Sequence, residues 1–118
     1  MSKEKVSDLE YLKETMGGKK HLIQEIIEVF LKQAPDEMSI IKEAIDSQNY
    51  AVIKKGAHTM KSSASIMGIA SALPLVEKIE ELAMREESID KIRQLNIELT
   101  RILEQAIEEI TFAKQEYL

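Results

Sequence analysis

His58 is the side chain on which chemistry can be built. The stretch Ala57-His58-Thr59-Met60-Lys61-Ser62-Ser63-Ala64-Ser65-Ile66-Met67-Gly68 reads as the middle and end of a helix. At about 100° per residue, Ile53, Ala57, Met60, Ala64 and Met67 fall on one narrow stripe, the mark of a buried seam. His58 lies more than about 90° from that stripe, on a polar side shared with Lys54, Lys61, Ser62 and Ser65. Imidazole is the side chain best suited to nucleophilic work near neutral pH, and the neutral ring is the attacking form. The surroundings suit an incoming phosphoryl group. Lys61 follows by three positions and Lys54 precedes by four, so both ammonium groups can lie along the same face and offset negative charge. Side chains lean toward the helix N-terminus, so residue 62 tilts over residue 58. A long side chain there would cover the ring; Ser62 leaves it open. Spacing alone is equally compatible with a solvated helical histidine that has no role.

Other chemistries lack their parts. There is no Gly-rich phosphate loop or Walker sequence, so no nucleotide site of the chain's own is expected. Two histidines without an acidic ligand cluster make a metal site improbable, and no serine or cysteine nucleophile has an evident base. His21 stands in the first turn of another helix without a lysine-and-serine face and reads as an exposed residue. Gly17-Gly18 before Lys19-Lys20 is too short for a phosphate cradle and reads as a turn.

The totals restrict the scaffold that must hold His58. The 118 residues suit one domain, 1–118, with a single sizeable core. A net charge of −5 argues against bulk attraction to nucleic acid, and two Phe with no Trp against a base-stacking platform. Cysteine is absent, the start is polar, and no stretch approaches a membrane span. A cytoplasmic protein is the natural expectation. The abundance of Glu, Lys, Ile, Leu and Ala points to an all-helical chain.

Helical periodicity supplies the elements. Ser7 with Glu10 has the form of a capping box, opening a short helix from Asp8 to about Thr15 that stops at Gly17-Gly18. From Lys19 an apolar face of Ile23, Ile26, Ile27, Phe30 and Ala34 meets Pro35, then resumes as Met38, Ile41, Ala44 and Ile45. This is either one kinked helix or two in line. Asn49 caps the helix of His58, which occupies about residues 49–68 and ends at Gly68. Gly56 inside it predicts close approach by a neighbouring helix. Ser71 opens the next helix, with Pro74 in its first turn, and Ser88 caps the last, which extends to about Lys114 before the pattern fades. Four long amphipathic helices with short connections predict an antiparallel up-down-up-down four-helix bundle, with the short extra N-terminal helix packed at one end.

The motif resembles the signature of the histidine-containing phosphotransfer (HPt) family. That pattern has alanine before the histidine, an apolar residue two after it, lysine three after it, then glycine, small residues, and a glycine ten positions on. Ala57, His58, Met60, Lys61, Ser63, Ala64 and Gly68 match; Ser62 stands where glycine is usual. The length and helix order of the whole chain fit as well. The resemblance implies a phosphocarrier in a multistep phosphorelay. His58 would accept a phosphoryl group from a receiver-domain aspartyl phosphate and pass it to another receiver. Lys61 would give charge support, with Lys54, Ser62, Ser65 and Gly68 in supporting positions. The expected partners are response-regulator receivers and a histidine or hybrid kinase, with Mg²⁺ carried by the receiver, no cofactor of the chain's own, and a monomeric state. The competing reading is a non-catalytic helical adaptor, or a member that kept the fold and lost the activity.

Overall fold

Asn49 turns the chain into the helix that carries His58: its side-chain oxygen accepts from the Val52 N–H, which would otherwise have no partner at the helix start. The computed structural model describes residues 4–117. Met1 to Lys3, part of the polar start, and Leu118 lie outside them. Among the described residues five α-helices follow one another: α1 Leu9–Thr15, α2 Lys20–Asp46, α3 Tyr50–Ile66, α4 Leu73–Met84 and α5 Ile89–Lys114. No strand occurs among the described residues. In the packing, α2 lies against α3 and α5, and α4 also lies against α3 and α5, so the four longer helices form a closed ring. Its centre is built from the expected stripes. Ile53, Ala57, Met60, Ala64 and Met67 are all buried, facing Ile27, Ile41, Val76, Ile79, Leu99 and Leu103 in one apolar core. Sealing this seam inward leaves the other side of α3 to solvent.

Several local expectations change. The α1 cap is Asp8, whose carboxylate accepts from the Tyr11 N–H, and not Ser7. Ser7 is engaged elsewhere, by Glu109 of α5. Glu10 pairs with Lys13 one turn on, so the capping box is not formed. Of the alternatives at Pro35, α2 is one continuous helix. Pro35 is on the exposed side, where water can serve the carbonyl four residues back. Ser71 falls in a 3₁₀ turn, Ala70–Ala72, and α4 proper starts at Leu73 with Pro74 in its first turn. Ser88 holds the N-cap position of α5 at φ 62°, a left-handed conformation in which its hydroxyl makes no capping bond. The end of α5 at Lys114 is as expected, and a 3₁₀ turn covers Gln115–Tyr117 beyond it.

Two glycines show why small residues flank the motif. A methyl group on Gly56 would come within 2.7 Å of Cγ1 of Ile41, so α2 crosses α3 against a bare backbone as expected. Gly68 ends α3 at φ +64°, and a Cβ there would lie 2.9 Å from the Asp8 carbonyl oxygen. The Asp8 N–H donates to the Met67 carbonyl oxygen at 3.1 Å, which ties the start of α1 to the end of α3.

Candidate functional site: the exposed histidine of α3

His58 projects from α3 with its side chain 68% exposed. Ala57 beneath it is buried, and Thr59 and Ser62 beside it are open to solvent. The ring is oriented by one carboxylate from the next helix. Oε2 of Glu80, on α4, lies 2.9 Å from Nδ1 of His58, and Oε1 of the same group lies 3.4 Å from Nζ of Lys61. The Glu80 side chain is only 22% exposed and spans the α3–α4 seam, so it can face both residues at once.

The electrostatics decide which ring nitrogen holds the proton. Burial raises the Glu80 pKa, but the hydrogen bond from His58 and the charge and hydrogen bond of Lys61 together bring it below the ordinary carboxylate value. Glu80 is therefore ionised at neutral pH and accepts hydrogen bonds only. The Nδ1 atom must donate to it. In the neutral ring this leaves Nε2 unprotonated on an exposed side chain, the tautomer required of a nucleophile at that atom.

The other sequence candidates divide. Lys61 is brought to the site through Glu80. Lys54 is exposed one turn earlier and takes no part in the Glu80 pairing. Ser62 and Ser65 are exposed and leave the approach open. Gly68 serves the fit of α3 to Asp8 and not the ring. The Ser63 hydroxyl donates to Oε2 of Glu37 on α2 at 3.3 Å. Burial raises the Glu37 pKa, and the Ser63 bond opposes that only in part. His21 is exposed at the start of α2. Among the described residues there is no cluster of three or more potential metal-binding side chains. Nor is any helix long and apolar enough to cross a membrane.

Glu80 is the residue that sequence reasoning missed. It flanks the buried arc of Val76, Ile79 and Ala83 on α4, which was a signal that it sits at a helix seam. Its pairing with His58, 22 positions away, depends on how α4 is rotated against α3.

Toward its C-terminal end, past the histidine, α3 also borders an open groove of about 470 Å³. Ser65 and Ile66 of α3, Ile26 and Val29 of α2, and Tyr11 and Met16 at α1 lie along it. Tyr11, Val29 and Ile66 are 49%, 51% and 48% exposed, so the groove offers apolar surface to solvent. Ser65 is two turns after His58 on the same helix face, roughly 10 Å along the axis.

Comparison with known proteins fits this geometry. No curated protein matches the chain. Among solved structures, the chain is similar to histidine-containing phosphotransfer protein B (HptB) of Pseudomonas aeruginosa PAO1, with a TM-score of 0.86 at 17% identity. The superposition covers 96% of this chain and 97% of that one, a likeness of fold. The family model described as Hpt domain matches residues 25–110, a span that contains α3, His58 and Glu80. The chain belongs to the Hpt domain family.

Proposed function

We propose that this protein is a phosphocarrier of a multistep phosphorelay, in which Nε2 of His58 takes a phosphoryl group from a receiver-domain aspartyl phosphate and yields it to a second receiver. Membership of the Hpt domain family supports histidine phosphotransfer as the chemistry. The observation that carries the assignment to His58 is the 2.9 Å contact of Glu80 with Nδ1, which commits the proton to that atom and leaves Nε2 free on an exposed ring. The scaffold is read as an antiparallel up-down-up-down bundle of α2 to α5, with α1 packed at one end.

In the forward step the Nε2 lone pair attacks phosphorus, and the bond from phosphorus to the aspartyl oxygen breaks. The electron pair leaves with the aspartate carboxylate. The ring becomes a phosphoimidazolium whose remaining proton, on Nδ1, stays bonded to Glu80. An anion at that position stabilises the positive ring as it forms, and the reverse step uses the same contact. The transition state is largely dissociative, so alignment and charge neutralisation supply most of the catalysis. Lys61 turns toward the incoming phosphoryl oxygens from its place beside Glu80. The receiver brings Mg²⁺ and its own catalytic groups. Its apolar face seats on the groove of Tyr11, Val29 and Ile66, past the histidine.

The test is incubation with phosphorylated receiver domains. Acid-labile, base-stable label on the native chain and none on His58→Gln supports the reading; label that persists in His58→Gln excludes His58. Replacing His21 leaves labelling unchanged.

A further inference from the structure

The groove past His58 has one wall that is not built by the four longer helices. Tyr11, Thr15 and Met16 come from α1 and its C-cap. An α-helix of seven residues does not persist without tertiary support. Leu12 supplies part of that support, being fully buried in the core. Val6, Leu9 and Met16 pack against the same core, Asp8 is tied to Met67, and the remaining polar support converges on one side chain at the far end of the segment. The Glu109 carboxylate, on α5, accepts from the Val6 N–H at 3.1 and 3.0 Å, from the Ser7 N–H at 3.0 Å and from the Ser7 hydroxyl at 2.7 Å. Gln105 adds to the same arrangement, donating to Oε2 of Glu109 at 2.9 Å and to the Glu4 carbonyl oxygen at 2.6 Å. The bonds to Val6, Ser7 and Glu4 span about a hundred positions in the chain, so they fix the path of the N-terminal segment, while the Gln105–Glu109 bond lies within α5 and joins the two side chains that make them.

We propose that Glu109 is a latch for the docking groove: by pinning residues 6 and 7 to α5, it holds α1 in place as a groove wall and so sets how tightly a receiver binds beside His58. Glu109 is a positioning residue; it lies on α5 and touches neither the ring nor the groove lining. The inference rests on the functional reading above for its receiver, but its structural half stands apart from it. Without the carboxylate, the Val6 and Ser7 donors turn to water, and the hydrogen bonding that holds the segment before Asp8 falls to the Gln105 bond with the Glu4 carbonyl oxygen. The tie between Asp8 and Met67 and the packing of Leu9 and Leu12 then hold that end of α1 with fewer constraints, and the side chains that α1 offers to the groove sample other positions. The reacting group is untouched, since His58 and Glu80 belong to α3 and α4. A receiver that needs the groove would bind more weakly, while transfer within the bound complex would keep its rate.

Glu109→Ala and the near-isosteric Glu109→Gln separate the possibilities, and both replacements are good helix formers. Amide hydrogen exchange is measured across the chain. Half-saturation and maximal rate of labelling are measured with a phosphorylated receiver domain that labels the native chain. Labelling by phosphoramidate, a small donor that needs no groove, reports the histidine alone. The latch predicts that Glu109→Ala lowers protection of the α1 amides by about tenfold or more while α2 to α5 stay protected. It also raises receiver half-saturation about fivefold, with maximal rate and phosphoramidate labelling unchanged. Glu109→Gln shifts both readouts in the same direction by a smaller factor. Unchanged α1 exchange in Glu109→Ala overturns the latch. So does loosened α1 with unchanged half-saturation, and so does a fall in phosphoramidate labelling. If no receiver and no phosphoramidate labels even the native chain, the relay reading fails, and the latch stands or falls on the α1 exchange.

Discussion

Glu80 and His58 meet across the α3–α4 seam, with Oε2 at 2.9 Å from Nδ1, and this contact gives the two ring nitrogens different jobs. One is occupied by the protein and the other is offered to solvent. The exposed side of the ring is thus selected by an anion on a neighbouring helix, not by its own helix.

Replacing Glu80 tests that division. Glu80→Gln is expected to slow labelling of His58 by about tenfold to a hundredfold, the range for losing an outer partner that orients a histidine. Because the pair lies at the surface, the thermal midpoint should change little, by less than about 1 kcal/mol in stability. Receiver half-saturation should not change. Single-turnover labelling and thermal unfolding check both halves.

The two lysines that the spacing made equivalent should differ. Lys61 shares the Glu80 carboxylate with His58, whereas Lys54 does not. Lys61→Ala is expected to lower the transfer rate about tenfold, as for loss of one charge-assisted hydrogen bond. Lys54→Ala should stay within about twofold. Parallel single-turnover measurements with one receiver compare them directly.

Gly56 sets opposing effects against each other. Alanine is the better helix former by about 1 kcal/mol, yet its methyl would meet Ile41 Cγ1 at 2.7 Å. Overpacking costs about 1–3 kcal/mol, so Gly56→Ala is expected to destabilise by about 1 kcal/mol. In an Ile41→Ala background the clash disappears and the same substitution should turn neutral or stabilising. A double-mutant cycle by denaturant unfolding reads the sign.

Two carboxylates should respond to pH in opposite senses. Burial, countered only in part by Ser63, raises the Glu37 pKa. Its contribution is therefore full below the unfolded value and lost as pH rises through the folded one. Glu37→Gln should then raise the midpoint at pH 7 by about 2 °C, with the gain vanishing in acid. For Glu109, burial is outweighed by bonds from Ser7, Gln105 and Val6, and its pKa is lowered. Its contribution is present above the unfolded value and lost as pH falls through the folded one. The charged groups around it are Lys5, Asp8 and Glu10 from the N-terminal segment and α1, and Glu108 and Glu116 from the C-terminal end. α1 should therefore loosen only in acid below the ordinary carboxylate range, which amide exchange against pH would show.

Much of the scaffold was legible because one stripe per helix decides what is buried. The α3 stripe through Met60 and Met67 sealed as its spacing implied, and that alone put His58 outside. Caps were legible where the polar residue had no better offer, as at Asn49. Ser7 had one: Glu109 drew it away, and Asp8 capped α1 in its place. Ser88 was misread because its backbone is left-handed, which its residue type does not announce. Glu80 and Glu109 were invisible for a related reason. Each acts on a residue far along the chain, and the rotation of one helix against another is not written in either helix's own pattern.

The proposed transfer takes place at the Nε2 atom of His58. The direct measurement is NMR of the ¹⁵N-histidine-labelled chain after phosphorylation by a receiver, with ³¹P coupling used to assign the bonded nitrogen. One phosphoryl group on His58 Nε2, with the Nδ1 proton retained, is the result expected. A phosphoryl group on Nδ1, or on any residue other than His58, would contradict it.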